Sequence, residues 1–321
     1  MQLSDWALDV LRAPGGAATL RVEGDTLVDE RGSEVARVED GILRFRMDSV
    51  DASIAFYRDI GGAHFYEATS VPYAMSSLDT PVYQDYLRRV EPESVDSVIV
   101  DIGGGDGRTA KPWLERGFRR VVVIDAAGEA LVRFRKRIEA EEPQWLERLL
   151  LVEADARALP LADSCAMTVT AIETLYYLNE DFERGLREAV RILSSEGRLL
   201  SAERNYEGGI VSRLLYDGVA AMLQTAESHE LWDGTEEKRV RTRLFTESEL
   251  RVAVESCGAC VEWIEGISIV PLLTGWIRQR AQLGDDASVS LQRVQSLVRD
   301  LATSGNMRRC HVLVARRATR P

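Results

Sequence analysis

The chain has 321 residues, 45% of them hydrophobic and 29% charged, with 40 Lys and Arg against 52 Asp and Glu for a formal net charge of −12. That composition belongs to an ordinary globular protein with a sizeable core, in one large domain or two modest ones. The acid excess weighs against nucleic acid as a partner, because phosphate contacts need clustered Lys and Arg.

No apolar run approaches the roughly 20 residues of a membrane span, and no secretory signal is expected at the start. Cys165, Cys257, Cys260 and Cys310 are too few in a chain of this length for a disulfide framework, so a reduced, cytoplasmic protein is expected. The five Arg between Met307 and Pro321 read as a solvated tail.

Residues 1–46 hold short β-like runs (18–22, 26–28, 34–38 and 42–45) broken by Gly and acidic turns, which predicts a small β-rich domain. Residues 47–95, rich in Tyr, Ser and Asp, read as a helical or irregular arm over the active site. From residue 96 to 321 the pattern becomes strand, turn and helix in alternation. Strands are expected at 97–102, 120–124, 149–152, 166–172 and 197–202. Phe182, Leu186, Ala189, Val190 and Leu193 recur at helical spacing, with Asn179 as N-cap and Gly197 as the stop. Residues 206–243 read as a mainly helical insertion. Thr246 and Glu249 then form a capping box, with Phe245 and Leu250 placed as a hydrophobic staple. Strands at 259–270 and 309–315 flank a helical stretch at 272–301 and bring the count to seven. The fold class is α/β: a mostly parallel sheet with helices on both faces, behind the small N-terminal β domain.

The segment Val100–Gly107 carries the chemistry. Asp101 ends a strand, and Gly103, Gly105 and Gly107 follow at alternate positions. Glycine there permits a tight turn and close approach to a ligand, beside the unpaired N–H groups of a helix start. The same residues satisfy a dinucleotide pattern, since Gly105, Gly107 and Ala110 read GxGxxA, so a dehydrogenase stays open at this point. Asp125 ends the next strand about 20 residues on, where a carboxylate accepts ribose hydroxyls. Asp155 follows the third, where it can take an adenine amino group. One acid at each of three strand ends favours a nucleoside carrying an amino-acid tail.

From about residue 97 to 317 the sequence resembles the class I S-adenosylmethionine-dependent methyltransferases, a Rossmann-like fold. Asp101–Gly107 is similar to that family's first motif, Val123–Asp125 to its acidic second motif, and Glu153–Pro160 to a segment of the ubiquinone-biosynthesis-like branch. Ser194, Ser195 and Glu196 stand where the family usually has Lys-Pro-Gly. The resemblance implies S-adenosyl-L-methionine as cofactor, held by Asp101, Gly103, Gly105, Asp106, Gly107, Asp125, Ala126, Asp155, Ala156 and Glu173. The reaction implied is an in-line methyl transfer, in which alignment and desolvation supply most of the rate.

The N-terminal segments Leu8–Gly16 and Asp29–Leu43 resemble a zinc-ribbon-like domain, related to the activator subunit of tRNA and release-factor methyltransferases. Its four ligand positions fall on Ala13, Gly16, Asp29 and Gly32, which cannot build a thiolate site. No metal is expected, and Leu8, Leu11, Leu20, Val38 and Ile42 are expected to hold that domain.

Candidate catalytic residues are His64, His229 and Glu173; a histidine near neutral pKa suits a general base. Tyr66, Tyr73, Tyr176 and Arg204 are candidates for the acceptor, with Met75, Tyr177 and Glu203 nearby. His311 and the pair Cys257/Cys260 read as structural. The reading is a small-molecule methyltransferase of bacterial metabolism. RNA or protein methylation, and a cofactor-binding protein without transfer, are the alternatives. The atom methylated, O, N or C, and the oligomeric state stay open.

Overall fold

The structure is a computed structural model and describes residues 4–14, 18–47, 51–63, 80–234, 239–268 and 308–318. Its centre is five parallel strands: β5 (Val98–Ile102), β6 (Arg120–Asp125), β7 (Leu149–Glu153), β8 (Ala166–Ile172) and β9 (Leu193–Arg204). Every residue of β5 and β7 is buried, as apolar runs covered on both faces require. Side chains alternate between two cores. Val122 and Ile124 of β6 face a cluster with Phe182, Leu186 and Phe245, while Val121 and Val123 face Trp113, Phe134 and Ile138.

β12 (Ala259–Ser268) and β13 (Arg308–Arg317) complete this sheet in the order β7-β6-β5-β8-β9-β13-β12, with β13 antiparallel to both neighbours. The expected seven strands are therefore present in that part of the chain. The chain order reverses across β5, and ligands in open α/β sheets bind at such a switch, outside the carboxyl ends of the strands. Because β13 runs the other way, its first residues sit on that same edge.

The N-terminal strands β1 (Arg21–Glu23), β2 (Thr26–Val28), β3 (Glu34–Glu39) and β4 (Ile42–Phe45) form an antiparallel meander. β4 also pairs in parallel with β7, Leu43 against Val152 and Arg44 against Glu153, so one sheet of eleven strands runs through both parts. The end of helix α1 (Asp5–Val10) is tied to the main domain: Arg12 N–H donates to the Pro160 carbonyl at 3.0 Å, and Ala162 N–H to the Val10 carbonyl at 2.8 Å. Leu11 and Ile42 are fully buried, with Leu8, Leu20 and Val38 packed beside the core. Asp29 closes its own turn by accepting the N–H groups of Arg31 and Ser33 at 2.9 and 2.8 Å, with Gly32 at φ +78°. Among the described residues no group of three metal-binding side chains exists.

Local expectations are corrected at several points. The helix of residues 182–192, α6 (Phe182–Ile192), follows Asp181, while Asn179 lies in the preceding 3-10 turn at φ +52°. Gly197 does not stop that helix: β9 begins at Leu193, and a bulge against β8 absorbs residues 194–197. The insertion is mainly helical as expected, in α7 (Tyr206–Tyr216) and α8 (Val219–Ser228), but it ends in an unexpected hairpin of β10 (Glu230–Gly234) and β11 (Arg239–Arg243). The C-terminal arginines are not a solvated tail, since Arg308, Arg309, Arg316 and Arg317 belong to β13. The expected helix at 272–301 lies outside the described residues. Among the described residues no helix is long and apolar enough to cross a membrane.

The capping box opens α9 (Glu247–Ser256) as expected. Glu249 N–H donates to Thr246 Oγ1 at 3.2 Å, and Thr246 N–H donates to the Glu249 carboxylate at 2.8 Å. Thr246→Ala should lower the unfolding free energy by about 1 kcal/mol in urea titration, and Thr246→Ser should leave it near wild type.

Candidate active site

The turn after β5 is built on backbone hydrogen bonds: the N–H groups of Gly103 and Gly104 both donate to the Ile124 carbonyl, at 2.7 and 3.2 Å. Gly103, Gly105 and Gly107 have φ of +69°, +51° and +85°, the left-handed region that L side chains avoid. They serve different ends. A Cβ on Gly103 would strike Thr174, and one on Gly107 would strike Phe134. At Gly105 only Asp125 Oδ2 comes within 4 Å, at 3.8 Å, so the turn is open there.

Asp101 lies beneath this turn, against Gly104. Only 1% exposed, it accepts hydrogen bonds from the hydroxyls of Thr109 and, at 2.6 Å, Thr170. Its carboxylate therefore joins β5, β8 and the start of α4 (Ala110–Glu115). Burial pushes its pKa up to about 6 against those two hydroxyls. Asp106 is also buried and turns toward Arg137, 3.9 Å away.

Asp125 occupies the edge of the cleft. Gly105 N–H donates to its Oδ2 at 2.9 Å and Ala127 N–H to its Oδ1 at 2.8 Å. Each oxygen keeps a lone pair for a further donor. Burial raises its pKa to about 6; the two amides oppose this, and the neighbouring Glu153 adds to it. Asp155 is gripped by Arg157, whose Nη2 donates to Oδ2 at 2.6 Å. Arg157 also meets Asp51 and Asp181, each at 3.0 Å, which ties the loop after β7 to the arm helix α2 (Ala52–Ala63). Ala156 is half-buried against the core.

On the other side of β5, Glu173 follows β8 at φ +55°. Arg108 and Arg309 meet its two oxygens at 3.1 and 2.7 Å. Burial would raise its pKa, but Arg309, Arg108 and Arg204 outweigh it and bring the group down to about 2. An anion held this firmly anchors arginines and is poorly suited to accept a proton. Arg204, at the end of β9, pairs with both oxygens of Asp233 at 3.0 and 2.6 Å and lies over the Tyr176 ring at 4.8 Å. Tyr177 donates to Asp233 at 3.0 Å and meets the Tyr57 hydroxyl of α2. Between α7, the β10 strand and the edge of β9 and β13 lies a cavity of about 330 Å³, lined by Arg204, Asp233, Trp232, Tyr216, Leu231 and Cys310 among others.

His229 is the left-handed C-cap of α8, stacked on Tyr206 at 4.2 Å, with its Nδ1 3.5 Å from Glu249. It is not part of the cavity wall. His64, Tyr66, Tyr73 and Met75 lie outside the described residues. His311 is buried between Asn205 and the Phe245 carbonyl, at 2.9 and 3.1 Å, in line with a structural role. Cys165, Cys257, Cys260 and Cys310 form no disulfide among the described residues. Residues that sequence reasoning passed over are Arg108, Arg309, Tyr57 and Asp233. Arg108, directly after the glycine turn, was within reach of inspection; the others carry no local signal.

The strand order, the glycine turn and the acid at the end of β6 form the Rossmann-like arrangement expected from the sequence. A family model described as a methyltransferase domain matches residues 100–201. The chain is 37% identical over 105 residues, 33% of its length, to the ubiquinone/menaquinone biosynthesis C-methyltransferase UbiE of Acidiphilium cryptum, covering 41% of that protein. It is 30% identical over 135 residues, 40% of its length, to the malonyl-[acyl-carrier protein] O-methyltransferase of Xylella fastidiosa, covering 42%. The chain thus spans less than half the length of these curated relatives. Its fold is similar to the crystal structure of the Burkholderia thailandensis 1,6-didemethyltoxoflavin-N1-methyltransferase with bound 1,6-didemethyltoxoflavin and S-adenosylhomocysteine. There the TM-score is 0.54 at 12% identity, over 93% of this chain and 98% of that one.

The residues present fit the cofactor of that family. The space over Gly105 admits a close ligand, and the Asp125 oxygens, each with a free lone pair, suit the two hydroxyls of a ribose. Asp125→Ala should weaken binding of S-adenosylhomocysteine by about 1–3 kcal/mol in calorimetric titration. Because the ionised carboxylate is the better acceptor and titrates near 6, wild-type affinity should fall as the pH drops from 7 to 5.

Proposed function

We propose that the protein transfers a methyl group from S-adenosylmethionine to a small-molecule acceptor bound in the cavity beside Arg204. The observation that carries this reading is the cavity itself. Its volume of about 330 Å³ suits the body of a small molecule, and its wall includes Arg204 at the end of β9 and Arg309 at the start of β13, on the sheet edge that also carries the glycine turn. When bound, the cofactor supplies an electrophilic methyl group on a sulfonium. The chain's part is to orient and desolvate. Gly105 and Asp125 fix the nucleoside end, and Arg108 and Arg309 pair with Glu173 so that this carboxylate does not compete as a nucleophile. The Arg204–Asp233–Tyr177–Tyr57 chain joins β9, the hairpin, the loop after β8 and the arm into one wall.

The net charge of −12 supports a small molecule over RNA. The named biosynthetic relatives support a place in bacterial metabolism, and four cysteines that form no disulfide among the described residues are consistent with a reducing cytoplasm. The cysteine-free β unit at residues 1–46, we further propose, is a degenerate zinc-ribbon-like domain whose turn Asp29 closes without metal.

With methyl-labelled cofactor, label should appear in a small-molecule product from a set of phenolic, carboxylic and heteroaromatic acceptors. Label found in RNA or protein would overturn this reading. Arg204→Met should raise KM for the acceptor by about 10-fold while leaving S-adenosylhomocysteine affinity near wild type, since its charge-assisted pair with Asp233 organises the cavity wall.

A further inference from the structure

The cofactor site is completed by residues far outside the glycine-turn segment, an inference that rests on the cofactor reading above. Glu153 ends β7 in register with Asp125, which ends β6. It is 6% exposed and meets two arginines contributed by the first 63 residues. Arg44 of β4 pairs with its Oε2. Arg58 of α2 donates from Nη2 to its Oε1 at 2.6 Å and from Nε to the Ala126 carbonyl at 3.2 Å. Ala126 is the residue after Asp125, so Arg58 grips both the neighbouring carboxylate and the loop carrying the ribose acceptor. A Cβ on Gly128, at the start of α5 (Gly128–Glu141), would collide with Glu153 Oε2 and Arg44 Nη1. The helix therefore begins with the one residue that leaves room for this pair.

We propose that Arg44 and Arg58 are positioning residues of the cofactor site, clamping Glu153 and the Ala126 carbonyl so that Asp125 presents an ionised carboxylate to the ribose hydroxyls. The physical reason is the proximity of like charges, since two neighbouring carboxylates left uncompensated favour protonation of one of them. The charged groups that act on Asp125 are Glu153 from β7, Asp101 from β5 and Arg133 from α5. Arg44 and Arg58 act on it through Glu153. The acids beside Arg44 in its own hairpin, Glu39 at 3.5 Å and Asp40 at 3.8 Å, are exposed and compete weakly for it. The β unit and the arm thus enter cofactor binding without touching the cofactor.

The test titrates S-adenosylhomocysteine into the full chain at pH 6, 7 and 8.5, with thermal midpoints as a check on folding. Arg44→Met and Arg58→Met should each bind about 10-fold more weakly at pH 6, where a tighter hold on its proton leaves little of Asp125 ionised. The loss should shrink at pH 8.5. Adding Glu153→Gln to either should restore affinity, and Arg58→Lys should retain most of it. Glu153→Gln alone should move the acid limb of binding to lower pH, a readout that does not depend on the arginine variants folding. Arginine variants with wild-type affinity at every pH would overturn the proposal. A loss that is equal at all pH values and persists with Glu153→Gln would overturn it too, because it marks a purely structural role. Wild-type protein that binds no S-adenosylhomocysteine would instead remove the cofactor reading beneath it.

Discussion

The hydrogen bond from Gly105 N–H to the Asp125 carboxylate ties the ends of β5 and β6 together, and the site is organised around it. It requires a left-handed residue at 105, which favours glycine, and an acid as the last residue of β6. It also requires support beneath the turn, which Asp101 supplies through Thr109 and Thr170. The two acids of the motif thus divide the work: one is sealed under the turn and holds its shape, and the other faces the cleft with acceptor capacity to spare.

Around that centre, four carboxylates of the rim are matched by guanidinium groups, three of them by arginines distant in the sequence. Glu173 has Arg108 and Arg309, Glu153 has Arg44 and Arg58, Asp155 has Arg157, and Asp233 has Arg204. Such pairs add little net stability, since desolvation offsets their attraction, but removing one partner leaves a buried charge and is strongly unfavourable. Their effect is geometric. They join the N-terminal β unit, the arm, the insertion and β13 to the strand ends, so the rim of the cleft is assembled from segments far apart in the sequence. An overall charge of −12 is compatible with this, because acids and arginines pair at the rim.

The insertion shows how such a rim acquires a pocket. Asn205 caps α7, accepting Gly208 N–H at 2.6 Å, and the hairpin then turns back so that Asp233 meets Arg204. A Cβ on Gly208 would strike the Arg308 carbonyl, and one on Gly209 would strike Leu244, so α7 lies close against β13 and the chain after the hairpin. The cavity is the space left between that helix and the hairpin.

Local pattern in the sequence was enough for the strands, since β5 to β8 are short apolar runs whose burial is dictated by composition. It was enough for the glycine turn, the acid at 125 and the capping box at Thr246, because turn geometry and capping depend on residues a few positions apart. It misplaced the junction at Leu193, where the register between β8 and β9 decides that residues 194–197 form a bulge. It placed Arg309 at the start of the last strand but counted its charge with a solvated arginine tail, although antiparallel β13 delivers that residue to Glu173, 136 positions earlier. Arg44, Arg58, Tyr57 and Asp233 had no local signal at all, because the charge that fixes each one is supplied by another strand or helix. The sequence by itself determined the sheet and the cofactor turn, both products of short-range periodicity and backbone sterics. Only the tertiary structure decided which arginine meets which carboxylate, because a long-range ion pair exists only once strand order and direction have brought its two ends to one edge.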